Sequence, residues 1–262
     1  MQPEKEPKRQ RRHIEREFGV PFAGEVLDPS QWTRTALKKL PAEGPLDLPA
    51  LFGRGAPLIV DVGCGNGRFL LGSAVWRPNL DHFGIDILPL VLRYATRRAN
   101  QRGLTNIRFA AIDAQRFVAD YLAPASVCEA HCYHPQPFHD PRTIGRRLLT
   151  PVFLADLHRV LAPGGQLFVQ TDNAPYWEYL RTVLPAFFSM AEQPAPWPDA
   201  PKGRTRREII ALRRGLPVFR ARGTARSLSA EERLHLASTL PAPDFDAGPP
   251  ARELDDLEQR TQ

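Results

Sequence analysis

The chain has 262 residues, 42% of them apolar, which is enough to bury one sizeable core and leave material for flanking extensions. A formal charge of +6 permits a polyanionic partner without requiring one, and three cysteines are too few for the disulfide framework of a secreted domain. No apolar run approaches the roughly 20 residues of a membrane span, and the charged start MQPEKEPKRQRRHIER lacks the apolar core of an export signal, so a cytoplasmic protein without a membrane partner is expected.

Residues 1–56 read as a basic N-terminal arm and connector. Up to about residue 16 the chain mixes Lys, Arg, Glu and Pro with too little apolar content to repay the entropy of ordering, and prolines cluster at 41–57. From 57 to 223 short apolar runs alternate with helical periodicity, as in parallel strands joined by crossover helices. Strands are predicted at 58–62, 82–87, 107–112, 127–133 and 166–171. The turn Pro163-Gly-Gly165 enters the fifth and stops a helix that Thr150 can cap and Pro151 can begin. A last strand over 216–222 would be confined by Pro217 to a strand start or an edge. The alternation predicts an α/β fold, a doubly wound, mostly parallel sheet with helices on both faces. Residues 224–262 are acidic and proline-rich and read as a disordered tail.

After the first strand, glycines at 63, 65 and 67 permit a tight turn, close approach of backbone to a ligand, and packing against the next helix, whose free amides would face that ligand. The third glycine arrives one residue too early for a dinucleotide fingerprint, and position 68 is arginine. Asp86 ends the second strand, where a carboxylate can accept from both ribose hydroxyls; Asp113 follows the third, within reach of an adenine amino group. Each acid alone reads equally well as a strand-end residue or helix cap, but all of them at successive strand ends point to an adenosyl ligand. Asp61, beside the loop, favours a cationic sulfonium over a pyrophosphate. The expected cofactor is S-adenosyl-L-methionine, held by Asp61, Gly63, Gly65, Asn66, Asp86, Asp113 and Ala114.

Over residues 57–223 the chain resembles the bacterial tRNA (guanine-N7-)-methyltransferases, a Rossmann-like class I family. The resemblance rests on VDVGCGNGRFL, FGIDI, AIDA, RRLLTPVFLADLHRVLAPGGQL, QTD at 170–172 and GRTRRE at 203–208. It implies methyl transfer to guanine N7 in the variable loop of tRNA, with tRNA as partner and substrate contacts at Asp140, Asp172, Thr205, Arg206 and Glu208. Where the family has Asn-Phe-Pro-Asp-Pro-Trp, this chain has Tyr133-His-Pro-Gln-Pro-Phe138, so Gln136 stands at the position of the catalytic aspartate and Asp140 at that of a substrate-linked lysine. Guanine N7 already carries a lone pair, so alignment and stabilisation of charge matter more than a strong base. Asp172 and Glu208 can accept from guanine N1 and N2, a pattern adenine does not offer. The expectation is a slower enzyme or an altered target.

Cys128, His131, Cys132, His134 and His139 crowd one segment, but a closed tetrahedral site from a single strand is awkward, so no metal is expected. Nine Lys or Arg between 202 and 226, with Glu208 the one acid among them, read as a tRNA backbone contact, joined by Lys8, Arg9, Arg11, Arg12 and Arg146-Arg147. Trp32, Trp177 and Trp197 are candidates for stacking on bases, with packing the commoner fate. Two other readings use the same residues: a methyltransferase acting on a small molecule or another RNA, and a tRNA-binding homologue with weakened catalysis. A monomer or a homodimer suits any of them.

Overall fold

In a computed structural model, residues 14–249 are described, together with Leu254 and Asp256. Most of the expected basic arm, residues 1–13, lies outside the described residues. The chain begins with a hairpin, β1 (Arg16–Glu17) and β2 (Val20–Pro21), closed by Phe18 and Gly19 at φ 46° and 71°.

Eight strands form the main sheet: β3 (Ala36–Leu37), β4 (Leu58–Val62), β5 (Asp81–Asp86), β6 (Ile107–Ala111), β7 (Val127–Tyr133), β8 (Leu161–Thr171), β9 (Phe188–Glu192) and β10 (Phe219–Ala225). Their order is β3-β6-β5-β4-β7-β8-β10-β9, parallel from β3 to β8, with β10 antiparallel to both of its neighbours. The helices are α1 (Leu48–Phe52), α2 (Arg68–Trp76), α3 (Pro89–Gln101), α4 (Ala114–Arg116), α5 (Pro151–Val160), α6 (Ala174–Phe187), α7 (Arg206–Arg213) and α8 (Ala230–Thr239). Alternate strand residues pack to opposite faces. Ile59, Phe109 and Phe168 meet α2 and α3, while Val60, Ile85, Cys132 and Val169 meet α5 and α6. This is the doubly wound Rossmann-like architecture, and parallel strands buried on both faces explain why β4 to β7 read as apolar runs.

Four local features differ from the expectation. First, the Pro163-Gly-Gly165 turn is an excursion inside β8: pairing jumps from Val127–Leu161 to Glu129–Gln166. Helix α5 has already ended at Val160; Thr150 caps its start by accepting from Phe153 N at 3.2 Å. Second, β10 lies between two strands rather than at an edge, because it begins after Pro217 and every strand residue keeps its donor. Third, a register shift between Val127 and Glu129 in β7 breaks strict alternation, so Cys128 packs on the α2–α3 side of the sheet while Cys132 joins the opposite core.

Fourth, the tail expected to be disordered carries α8. Ser229 and Glu232 form a reciprocal capping box at its start, and Leu236, Ala237 and Leu240 pack on the α5–α6 side of the core. Beyond it Phe245 lies 5.2 Å from the Tyr176 ring and 3.8 Å from the Arg147 guanidinium. Local capping and these apolar contacts offset the ordering entropy that composition alone left unbalanced.

Candidate active site

The loop between β4 and α2 holds Gly63, Gly65 and Gly67 at φ 75°, 52° and 73°, values that favour glycine. A Cβ on Gly67 would stand 2.7 Å from Ala95 Cβ, so that glycine lets α2 pack on α3, whereas Gly63 and Gly65 face open space. The loop amides are engaged by the protein itself: Ile85 O accepts from Gly63 N and Cys64 N, Asp86 Oδ2 from Gly65 N at 2.9 Å, and Asn66 Oδ1 from Arg68 N. Four amides around the turn are thereby occupied, while no side chain caps the start of α2.

Two carboxyl groups face the loop. Asp61 is 2% exposed and accepts no hydrogen bond from any described residue. Burial and the neighbouring charge of Asp86 push its carboxyl up to about 8, against the opposing pull of Arg204. Asp86 is also raised by burial, although Leu88 N and Gly65 N donate to its two oxygens. Asp113 stands exposed at the tip of β6 and caps α4, accepting from Arg116 N at 2.9 Å, with Ala114 as the first residue of that helix. Asn66 turns away from the cleft and donates to Glu17 Oε1 at 2.9 Å.

Glu17, buried in the hairpin, was not singled out in the sequence. It also accepts from Arg68 at 3.4 Å and from Arg206 at 2.7 Å, joining the N-terminal segment, the cofactor loop and α7. Arg204 lies 4.4 Å from the Trp197 ring, between Phe69 and Phe168, and donates to Tyr133 Oη at 2.6 Å. Tyr133 Oη meets His131 Nδ1 at 2.8 Å, and His131 Nε2 meets Glu129 at 3.0 Å. Burial lowers His131 to about 4, so this relay is built on a neutral ring.

On the other side of β7, a pocket of about 130 Å³ is lined by His134, Gln136, Thr171, Asp172, Arg207 and Pro249, among others. Gln136 is exposed and free to turn into it. His134 and Phe138 hold φ at 51° and 45°, left-handed values that cost non-glycine residues and aim the intervening prolines across the mouth. Trp197 Nε1 donates to Gln170 Oε1 at 2.8 Å, which turns the Gln170 amide nitrogen toward His134 Nε2, also at 2.8 Å. His134 then donates from Nδ1 to Asp172 at 2.8 Å. Burial would raise Asp172, but bonds from His134 and Arg207 outweigh it and hold the group well below the usual carboxylate range.

A family model described as "Putative methyltransferase" matches residues 55–221. The chain is 38% identical over 179 residues to the tRNA (guanine-N(7)-)-methyltransferase of Paracidovorax citrulli, an alignment covering 67% of this chain and 72% of that one. With the protein of the same name from Alkalilimnicola ehrlichii it shares 33% identity over 191 residues, covering 72% and 81%. The chain belongs to the tRNA (guanine-N7-)-methyltransferase family. Among solved structures, the 16S rRNA methyltransferase KamB superposes with a TM-score of 0.55 at 17% identity, covering 74% of this chain and 99% of that one, a likeness of fold alone.

Set on this family framework, the residues expected to face guanine separate. Asp172 and Gln136 share the pocket. Glu208 does not line it: it is 0% exposed, pairs with Arg220 at 2.6 Å and accepts from Arg204 N at 2.7 Å. Thr205 caps α7 by accepting from Glu208 N, and Arg206 is buried against Glu17 and Phe18. Asp140 stands in a surface turn, paired with Arg142 at 2.7 Å. Four cations of the basic stretch turn inward, Arg204, Arg206, Arg207 and Arg220 pairing with Asp199, Glu17, Asp172 and Glu208, while Lys202, Arg213, Arg214, Arg222 and Arg226 are exposed.

His131, His134 and His139 spend ring nitrogens on Tyr133 and Glu129, on Asp172 and Gln170, and on Gly248 O. Among the described residues no group of three His, Cys, Asp or Glu could hold a metal ion, and no helix is long and apolar enough to cross a membrane. Trp177 and Trp197 are core residues, whereas Trp32 is 43% exposed.

Proposed function

We propose that this family member transfers the methyl group of S-adenosylmethionine to N7 of a guanine in tRNA, in the variable loop, and acts in the cytoplasm. The observation that carries the cofactor half of this reading is Asp61. A buried carboxylate without a donor, beside a second carboxylate, is unfavourable until a cation arrives. The sulfonium and ammonium of the cofactor's methionyl end answer that need, and a pyrophosphate would worsen it. Asp61 would hold this cationic end, Asp86 keeps one lone pair per oxygen for ribose hydroxyls, and Asp113 offers an acceptor to the adenine amino group. Gly63 and Gly65 leave the space, and Ala114 would border the base.

Bound there, the cofactor supplies an electrophilic methyl group. The protein aligns the purine and stabilises the positive charge that develops on it. Asp172, ionised and locked by Arg207 and His134, provides a fixed negative potential in the Gln136 pocket. The Gln136 carbonyl would orient the base. Thr205, Arg206 and Glu208 act one step removed, holding α7 so that Arg207 reaches Asp172, while Asp140 shapes the loop. A second reading, cofactor and tRNA binding without turnover, is favoured by the amide at position 136.

Unmodified tRNA incubated with methyl-labelled cofactor tests both readings. Label at N7 of a variable-loop guanine, located by borohydride reduction and aniline cleavage, is the expected result. Bound tRNA without incorporation selects the second reading, and no cofactor uptake in calorimetry sinks both.

A further inference from the structure

Besides the exposed arginines of the basic stretch, helix α3 offers a second cationic surface for RNA. Arg93 and Arg97, one turn apart, are exposed and form no ion pair with any described residue. With Leu90 and Tyr94 they make one wall of an open groove of about 560 Å³, and Trp32 makes the other. None of the residues lining the groove is acidic, and Pro89–Gln101 contains three arginines and no acid.

The Trp32 wall is pinned in place. Asn100 Oδ1 accepts from both Thr35 N and Thr35 Oγ1 at 2.9 Å, Asn100 O accepts from Thr33 N, and Trp32 Nε1 donates to Leu27 O at 3.0 Å. A rigid, half-exposed indole beside two unpaired guanidiniums suits a stacked base with its phosphate. The groove also has a direction. Leu90 lies just after Asp86, at the edge that carries the cofactor loop, and Asn100 lies near the far end of α3. Finally, Glu15 pairs with Arg98 and Arg102 and spends those two cations, leaving Arg93 and Arg97 as the exposed ones of this helix.

We infer that the groove between α3 and Trp32 is an RNA-binding site, with Arg93 and Arg97 on phosphates and Trp32 under a base, holding single-stranded tRNA nucleotides away from the methylated guanine. The inference rests on tRNA being the substrate. Parent protein, Arg93→Glu/Arg97→Glu and Trp32→Ala are compared by fluorescence anisotropy with unmodified tRNA at several salt concentrations, and by calorimetry with S-adenosylmethionine.

The charge reversal is expected to weaken tRNA binding at least tenfold and to flatten the log–log salt dependence by about one unit for each phosphate that the protein no longer neutralises, leaving cofactor affinity unchanged. Trp32→Phe should bind RNA like the parent, and Trp32→Ala should lose about tenfold. Parent-like tRNA affinity and salt slope in the double reversal overturn the groove. A parent that binds no tRNA overturns the substrate reading itself, so the two failures are distinguishable.

Discussion

The two halves of the site handle negative charge in opposite ways. At the tips of β4 and β5, Asp61 has no hydrogen-bond donor among the described residues and Asp86 has only backbone amides, so burial raises both carboxyls. Around β8 and α7, Asp172 and Glu208 are each gripped by arginine, as is Glu17 in the hairpin that packs on them. The first half is poised for a cation from outside, and the second has already neutralised itself. An acid at a strand tip therefore marks a ligand site only where the protein withholds a partner from it.

The largest effect should come from breaking the neutralised half. Arg220→Ala takes the charged partner from Glu208 in a place sealed from water, and removal of one partner of a buried pair costs about 3–5 kcal/mol. Denaturant unfolding measures this directly. A loss below about 1 kcal/mol would show that water reaches Glu208 and that the pair is not buried in the sense argued.

The sharper comparison sets Asp61→Asn against Asp172→Asn. Removing the raised carboxyl should leave the ligand-free protein as stable or more so while cofactor affinity falls on the order of 100-fold, because a buried charge partner is lost. Removing the lowered one should destabilise by about 1–3 kcal/mol, because Arg207 and His134 lose their acceptor. The pH signs differ as well. Asp61 titrates near 8 when folded and near 3.8 when not, so the folded state binds more protons between those values and ligand-free stability falls as pH rises through that window. Cofactor binding then displaces a proton from Asp61, and affinity should climb by up to about tenfold per pH unit until about pH 8 and level off above it. Calorimetry across pH checks this, and a flat profile in the parent, matching Asp61→Asn, would sink the cation argument. Asp172, held low, contributes stability above the ordinary carboxylate range that is lost only in acid.

Much of the fold was legible because strands β4 to β8 are buried on both faces and announce themselves as apolar runs bounded by glycine or proline. The cofactor loop and its acids were legible because they sit at fixed offsets from those strands. Strand β9, Phe188–Glu192, was not, since five residues with a single fully apolar pair merge into the preceding helix. The pairing of the basic stretch was hidden for a different reason. Arg206 meets Glu17 across 189 positions and Arg207 meets Asp172 across 35, so local charge pattern shows the cations and none of their partners. The capping box of α8 was present in Ser229 and Glu232, but a polar, acidic composition outweighed it.

The smallest expected effect probes the departure at position 136. Gln136 is exposed at the mouth of the pocket whose floor holds Asp172. An amide can orient a purine but contributes little to the field that stabilises its positive charge, whereas Asp172 already supplies a fixed negative group. Gln136→Asp adds a second carboxylate, so kcat for tRNA methylation should rise about three- to tenfold with KM nearly unchanged, the pattern of an interaction made only in the transition state. Gln136→Ala should lose a similar factor. Equal turnover in parent, Gln136→Asp and Gln136→Ala would place the chemistry away from this loop and leave the Asp172 pocket a structural feature of the α7 junction.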